Sequence, residues 1–444
     1  MASEDLHSEL VRLWNEHERV LCQRGVPSGI QELLNSAFAK IPVSYFPDVP
    51  SGEVVEIAAD TTIADTVRIL SEKNIFSAPV KIPDADAKER WSERYLGMVD
   101  YSVIILWVLE KAELAATALA SGSAAAAGMG AGAVGALGAL ALGATGPGVV
   151  VGLTAAAVGA AIAGGVAADK GPGKNASTAA DSLGEDFFRV ILNEEPFKST
   201  KVWEITKSFR WAPFLPVQPD DTMLTVLLLL SKFRLRSIPI VDKDQPTVKN
   251  LITQSAVVKG LAMCRGRDWF DFIADKSIFQ LGLPRMTPDQ VVSIDADKLV
   301  LDAFVLMREK NVGGLPVVKG EQKELVGNIS MRDIRFLLLQ PELCSRRREL
   351  TVYDFMHSAK SSTHDPHPAL MMPPITCEES TSLGEVIDVL STKGIHRIHI
   401  VDDKQRIVGV VTLRDIISCF VTEPDNYFNN FGSVLASSIA EATT

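Results

Sequence analysis

The sequence predicts an α+β fold built from four helix-strand-strand-helix units, and three observations carry that expectation. Residues 394–417 (GIHRIHIVDDKQRIVGVVTLRDII) and 311–334 (NVGGLPVVKGEQKELVGNISMRDI) repeat one strand-turn-strand-helix pattern. Weaker copies occupy 234–257 (RLRSIPIVDKDQPTVKNLITQSAV) and 74–103 (NIFSAPVKIPDADAKERWSERYLGMVDYSV). An amphipathic segment precedes every copy. The step from Thr253 to Ser330 matches that from Ser330 to Thr412, whereas Asp100 to Thr253 spans about twice that step, so an insertion separates the first two copies.

The helices come first in each unit. Apolar residues recur at three- and four-residue intervals in TIADTVRILSEK (62–73), TMLTVLLLLSKF (222–233), LVLDAFVLMREK (299–310) and SLGEVIDVLSTK (382–393), with a Thr or an acid near each start. The strands IPIV, LPVV and IHIV are short and β-branched, and the segments DIRFLLL and DIISCFV that close the later units are apolar on one face. One unit is too small to cover both faces of its own sheet, so the units are expected to pair. The expected boundaries are an N-terminal segment 1–39, unit one 40–112, an insert 113–184, unit two 198–265, unit three 278–340, unit four 351–423 and a tail 424–444.

The insert has no charged residue between Glu113 and Asp169 and is dominated by Ala and Gly. Its length would suffice for a membrane hairpin. Large apolar residues are sparse and no aromatic or basic anchors flank it, which favours a flexible or partly helical linker. Gly130, Gly132 and Gly135 satisfy GxGxxG, but no strand precedes them and a glycine-rich tract produces that spacing by chance.

A net charge of -11 over 444 residues excludes a nucleic-acid surface, and the run Arg346–Arg348 is too short to build one. Five scattered cysteines without a CxxC pair indicate a reducing compartment, and the acidic, polar start shows no leader pattern. The expected location is therefore the cytoplasm or the nucleus. His364 and His367 lie in a polar loop without further ligands at metal-site spacing. There is no GxxxxGK[ST], HExxH or GxSxG, so no catalytic constellation is expected.

The chemistry-bearing residues recur with the repeat. Ser330 is followed three places later by Asp333, and Thr412 by Asp415; Thr253 has Ala256 in the acid position, and in the first copy Asp100 takes the hydroxyl position and Val103 the acid position. A hydroxyl and an acid so spaced form a capping box worth about 1 kcal/mol without any ligand. The same pair, repeated at helix starts, suits a polyol or phosphate held between copies. Both readings stand on sequence.

This combination resembles the cystathionine-β-synthase (CBS) domain, and four such domains without an attached enzyme resemble the gamma subunit of the AMP-activated protein kinase family. With its insert, the phrase FRWAPFLPVQ (209–218) and the ending EPDNYFNNFG, the chain is most similar to the plant gamma-type subunits of the sucrose-non-fermenting-related kinases. The resemblance implies two tandem modules stacked as a disc, with adenine nucleotide (AMP, ADP or ATP) as regulatory ligand in clefts between the domains. It implies that Asp333 and Asp415 bind ribose hydroxyls, that Ser330, Thr412 and Thr253 lie beside phosphate or sugar, and that His396 and Arg397 meet phosphates at the centre. Arg236 takes the histidine position in unit two; Gly313–Gly314 and Phe76–Ser77 supply no cation in units three and one. The implied partners are a kinase catalytic alpha subunit and a beta subunit. A scaffold with degenerate clefts, or a membrane-linked regulator using 118–168, are the competing expectations.

Overall fold

The computed structural model describes residues 26–49, 52–73, 75, 77–83, 91–100, 104, 107, 199–208, 214–233, 235–242, 247–284, 286–310, 312–334, 343, 346, 349–362, 373–425 and 427–428. The Ala/Gly insert, the loop carrying His364 and His367, and most of the tail lie outside them.

A leading helix α1 (Ser28–Phe38) precedes unit one, which consists of β1 (Ile57–Ala58), α2 (Ile63–Glu72), β2 (Ser77–Lys81), the short α3 (Trp91–Arg94) and β3 (Tyr95–Asp100). Helix α4 (Val202–Ser208) leads into unit two, formed by α5 (Met223–Ser231), β4 (Ser237–Val241), β5 (Val248–Thr253) and α6 (Gln254–Ala262). After α7 (Asp268–Ala274), unit three runs through β6 (Ile294–Asp295), α8 (Val300–Glu309), β7 (Gly314–Lys319) and β8 (Glu324–Ser330), closing on a 3-10 turn at Met331–Ile334. Helix α9 (Val352–Ser362) precedes unit four: β9 (Thr376–Cys377), α10 (Leu383–Lys393), β10 (Arg397–Val401), β11 (Ile407–Thr412) and α11 (Leu413–Ser418).

The four sheets share one plan. An antiparallel hairpin carries a register shift at the same place in every unit: Val80/Lys81, Ile240/Val241, Val317/Val318 and Ile400/Val401. A short parallel strand flanks the first hairpin strand in units one, three and four, and in unit two it shrinks to a single bridge, Val217 to Ile240. Each hairpin opens on the register pair that aligns the repeats: Ser77 with Asp100, Ser237 with Thr253, Gly314 with Ser330, and Arg397 with Thr412. The hydroxyl position of every unit, filled by Asp100 in unit one, thus stands opposite the first residue of its first strand.

Packing pairs each unit twice. One large core joins units one and three, with Ile57, Leu70 and Val80 against Phe304, Leu315 and Ile329. It also takes Val202 and Ile205 of α4, and Val352 and Phe355 of α9, so those helices settle on the unit before them in sequence. A second large core joins units two and four, with Leu228 and Ile252 against Ile387, Val411 and Ile416. Smaller apolar seams join units three and four (Val318, Leu325, Val401, Ile407) and units one and two (Tyr95, Val241, Val248). The contacts close in the order one-two-four-three, a ring of four units in which helices pack between units two and four and hairpins make the smaller seams. Burial of β-branched and leucine side chains on both sides of each unit supplies what a lone unit could not.

Candidate functional site

The two hydroxyl-acid pairs are formed as written in the sequence. Ser330 donates from both its N–H and its Oγ to Asp333 Oδ2, each at 2.7 Å. Thr412 does the same to Asp415 Oδ2, at 2.8 Å from N and 2.6 Å from Oγ1, and completes a capping box at the start of α11. Both carboxylates are buried, at 4% and 6% exposure. Asp415 Oδ1 also lies 3.8 Å from Arg414 Nη2. In unit two Thr253 caps α6 alone, its Oγ1 accepting from Ala256 N at 3.1 Å.

The basic residues meet where the units face one another. Arg397 opens β10 of unit four, yet its guanidinium lies over Gly313 and Gly314 of unit three. A Cβ built at Gly314 would overlap Arg397 Nη1 and come within 2.6 Å of its Cζ and 2.8 Å of the Ile329 carbonyl oxygen. A Cβ at Gly313 would stand 3.0 Å from Arg397 Nη2 and 3.7 Å from Arg236 Nη2. Two guanidinium groups, from units four and two, therefore converge on one glycine of unit three. The Gly313–Gly314 pair supplies no cation of its own, as expected, but it makes the slot through which unit four supplies one.

Burial, followed by the neighbouring Arg236 charge, lowers the Arg397 guanidinium to about 10, while Asp333 acts to raise it. It remains a cation at neutral pH. Its Nη1 is buried without a hydrogen-bond partner among the described residues. Arg236 is held differently, with Nη1 at 4.0 Å from Asp100 Oδ2 of unit one.

His396 is exposed and turned to unit two, with Nε2 at 3.1 Å from Ser255 Oγ. His399 falls on the opposite side, as an odd spacing along a strand requires, and shares its face with Arg397. It is 2% exposed, and its Nε2 lies 3.0 Å from Asn328 Oδ1 of unit three. Burial first, and the Arg397 charge second, push the imidazole down to about 3, so it is neutral in the cell. Its Nδ1 has no partner among the described residues.

Three participants were not identified from sequence. Gly313–Gly314 reads as a loss until the structure shows Arg397 resting on it. Asp100 reads as a degenerate hydroxyl position until Arg236 is seen beside it. The third is the pairing of His399 with Asn328, which had a trace in the repeats: at the register of His399 the other units carry Pro79, Pro239 and Pro316. Only the fourth unit places a polar ring there.

Chemically, the arrangement brings two guanidinium groups together, with the buried Asp333 carboxylate acting on Arg397 and the partly exposed Asp100 carboxylate beside Arg236. Guanidinium groups bind phosphate oxygens in a planar, bidentate way, and carboxylates accept from sugar hydroxyls. Among the described residues no group of three or more His, Cys, Asp or Glu could hold a metal ion, and no helix is long and apolar enough to cross a membrane.

The family profile described as "CBS domain" matches residues 206–262, 281–340 and 369–422. Unit one lies outside those matches and repeats the same sheet topology. The molecule is thus a CBS-domain repeat protein. Over 414 residues it is 58% identical to an Arabidopsis thaliana "SNF1-related protein kinase regulatory subunit gamma-1-like", covering 93% of this chain and 92% of that one. It is 36% identical to "SNF1-related protein kinase regulatory subunit gamma-1" of the same plant, over 94% and 89% of the two chains. Human "5'-AMP-activated protein kinase subunit gamma-3" is 27% identical over 48% of this chain and 41% of its own. The chain belongs to the plant gamma-type family of SNF1-related kinase regulatory subunits, whose role is regulatory rather than catalytic.

Proposed function

We propose that the chain is the gamma subunit of a heterotrimeric Ser/Thr protein kinase, assembling with a catalytic alpha and a beta subunit, and that it binds adenine nucleotide at the centre of the ring. The observation that carries the nucleotide half is Arg397: a guanidinium whose Nη1 is buried and has no hydrogen-bond partner among the described residues, lodged on a glycine slot near Arg236 and within the field of Asp333. A cation so placed favours a phosphate; in this reading Asp333 and Asp415 accept from ribose hydroxyls, and Ser330, Thr412, Thr253 and His396 contribute to the cleft.

Titration calorimetry of the full chain with AMP, ADP and ATP tests this. Arg397→Gln is expected to weaken binding roughly ten- to a hundredfold, the range for a charged hydrogen bond. Binding of no nucleotide at millimolar concentration would end the nucleotide half of the proposal.

One observation favours a second reading, a scaffold that does not sense nucleotide. Asp333 and Asp415 already accept from the caps of their own units. Under that reading, Asp333→Asn with Asp415→Asn leaves capture of the kinase subunits unchanged, and the purified complex carries no nucleotide.

A further inference from the structure

Each guanidinium where the four units meet feels a carboxylate. Arg397 lies in the field of Asp333, and Arg236 Nη1 stands 4.0 Å from Asp100 Oδ2. Asp100 occupies the register position that holds Thr253, Ser330 and Thr412 in the other units, opposite the first residue of the first strand. A hydroxyl at that position brings no charge. A carboxylate brings a full negative charge to the edge of a site made of two cations.

We propose that Asp100 is an internal anion that occupies Arg236 and thereby fits the central site to ligands bearing one phosphate. This rests on the reading that the centre receives a nucleotide phosphate. One phosphate occupies one guanidinium in a bidentate pair, and Arg397, whose buried Nη1 has no hydrogen-bond partner among the described residues, is the guanidinium placed to receive it. The further phosphates of a di- or triphosphate carry their charge toward Arg236, which meets the same glycine as Arg397. There they encounter the Asp100 carboxylate and compete with it for the same cation. The Asp100 and Arg236 side chains are 25% and 47% exposed, so solvent screens the competition and its effect is several-fold, not hundreds-fold.

The test is magnesium-free calorimetric titration of the full chain with AMP and with ATP, in wild type, Asp100→Asn, Arg236→Gln and the double variant. Wild type is expected to bind AMP more tightly than ATP. Asp100→Asn is expected to shift the ratio toward ATP by roughly three- to tenfold, the size of one screened charge interaction. In Arg236→Gln, ATP should weaken more than AMP, and in the double variant the ATP gain should vanish. Should Asp100→Asn fail to fold, as a thermal melt would show, Asp100→Ser takes its place, since it restores the uncharged hydroxyl that the other units carry at this register position, and the same shift toward ATP is expected. Wild type that binds AMP while the ratio stays within twofold in the folded variants, or that prefers ATP from the start, overturns the role of Asp100 and leaves nucleotide binding intact. Wild type that binds neither nucleotide overturns both.

Discussion

Gly314 shows how much of this site depends on what a residue lacks. Any side chain there would collide with the Arg397 guanidinium and press on the Ile329 carbonyl, a backbone atom that cannot swing away. Gly314→Ala is therefore expected to push Arg397 out of its slot and weaken nucleotide binding about tenfold or more, with a small fall in melting temperature, as read by calorimetry and a thermal melt. Nucleotide affinity equal to wild type would mean that Arg397 does not act from that slot. His399 makes a second prediction at this scale. Its folded pKa, about 3, lies well below the usual histidine value, so the unfolded chain takes up a proton near pH 6.5 that the folded chain refuses. Unfolded chains then bind more protons, and stability falls as pH drops from about 6.5 toward 3, by at most about 1.4 kcal/mol per pH unit from this group. His399→Gln should flatten the decline between pH 6 and pH 4 in denaturant titrations; an unchanged slope would show that the ring gains its proton in the folded state. The pairs Ser330–Asp333 and Thr412–Asp415 were legible in sequence because they are local, three residues apart. Arg397 on Gly314 and Arg236 beside Asp100 were not, because they join units whose relative placement no local pattern encodes.

At the scale of the element, periodicity and caps account for the helices closely. The segments 222–233, 299–310 and 382–393 become Met223–Ser231, Val300–Glu309 and Leu383–Lys393. The last of these is bounded by chemistry at both ends. Ser382 and Glu385 form a reciprocal capping box, with Ser382 N donating to Glu385 Oε2 at 3.0 Å and Glu385 N donating to Ser382 Oγ at 3.2 Å. Gly394 stops the helix in the left-handed region at φ 62°. Ser382→Ala is expected to cost about 1 kcal/mol of unfolding free energy with no change in nucleotide affinity, since its hydroxyl bonds Glu385 and neither hydroxyl-acid pair. Thr412→Ala should cost a similar amount and weaken the ligand as well, because its Oγ1 also holds Asp415. Equal ligand affinity in both variants would reduce the fourth unit's pair to a cap. The short strands Ile57–Ala58, Ile294–Asp295 and Thr376–Cys377 are not legible in the sequence, because two residues cannot display an alternation.

Across the whole molecule, the expectation that one unit cannot cover its own sheet is met twice over, by a hairpin seam to one neighbour and a helical core to another. The larger cores join unit one to three and two to four, units that are not consecutive in the chain, so the molecule's stability depends on contacts that close long loops. Helix α5 of unit two packs on α11 of unit four, and α6 on α10, and α1 joins the segment after α11 where Asn35 Nδ2 donates to the Thr422 carbonyl at 2.7 Å. If that shared core is what makes the ring one body, damage on one side must be felt on the other. Leu228, fully buried in α5, is the place to ask. Leu228→Ala should cost about 2–5 kcal/mol, as cavities in a packed core do, and should do so without touching a polar group of the site. Hydrogen exchange would then show faster opening in α11 around Ile416 as well as in α5, because both helices lose the same packing, while the hairpin seam of units three and four at Val318 and Val401 keeps more of its protection. Exchange that quickens in unit two alone would mean that the four units are neighbours and not a ring. In that case the convergence of Arg236 and Arg397 on Gly313 would have nothing rigid to hold it.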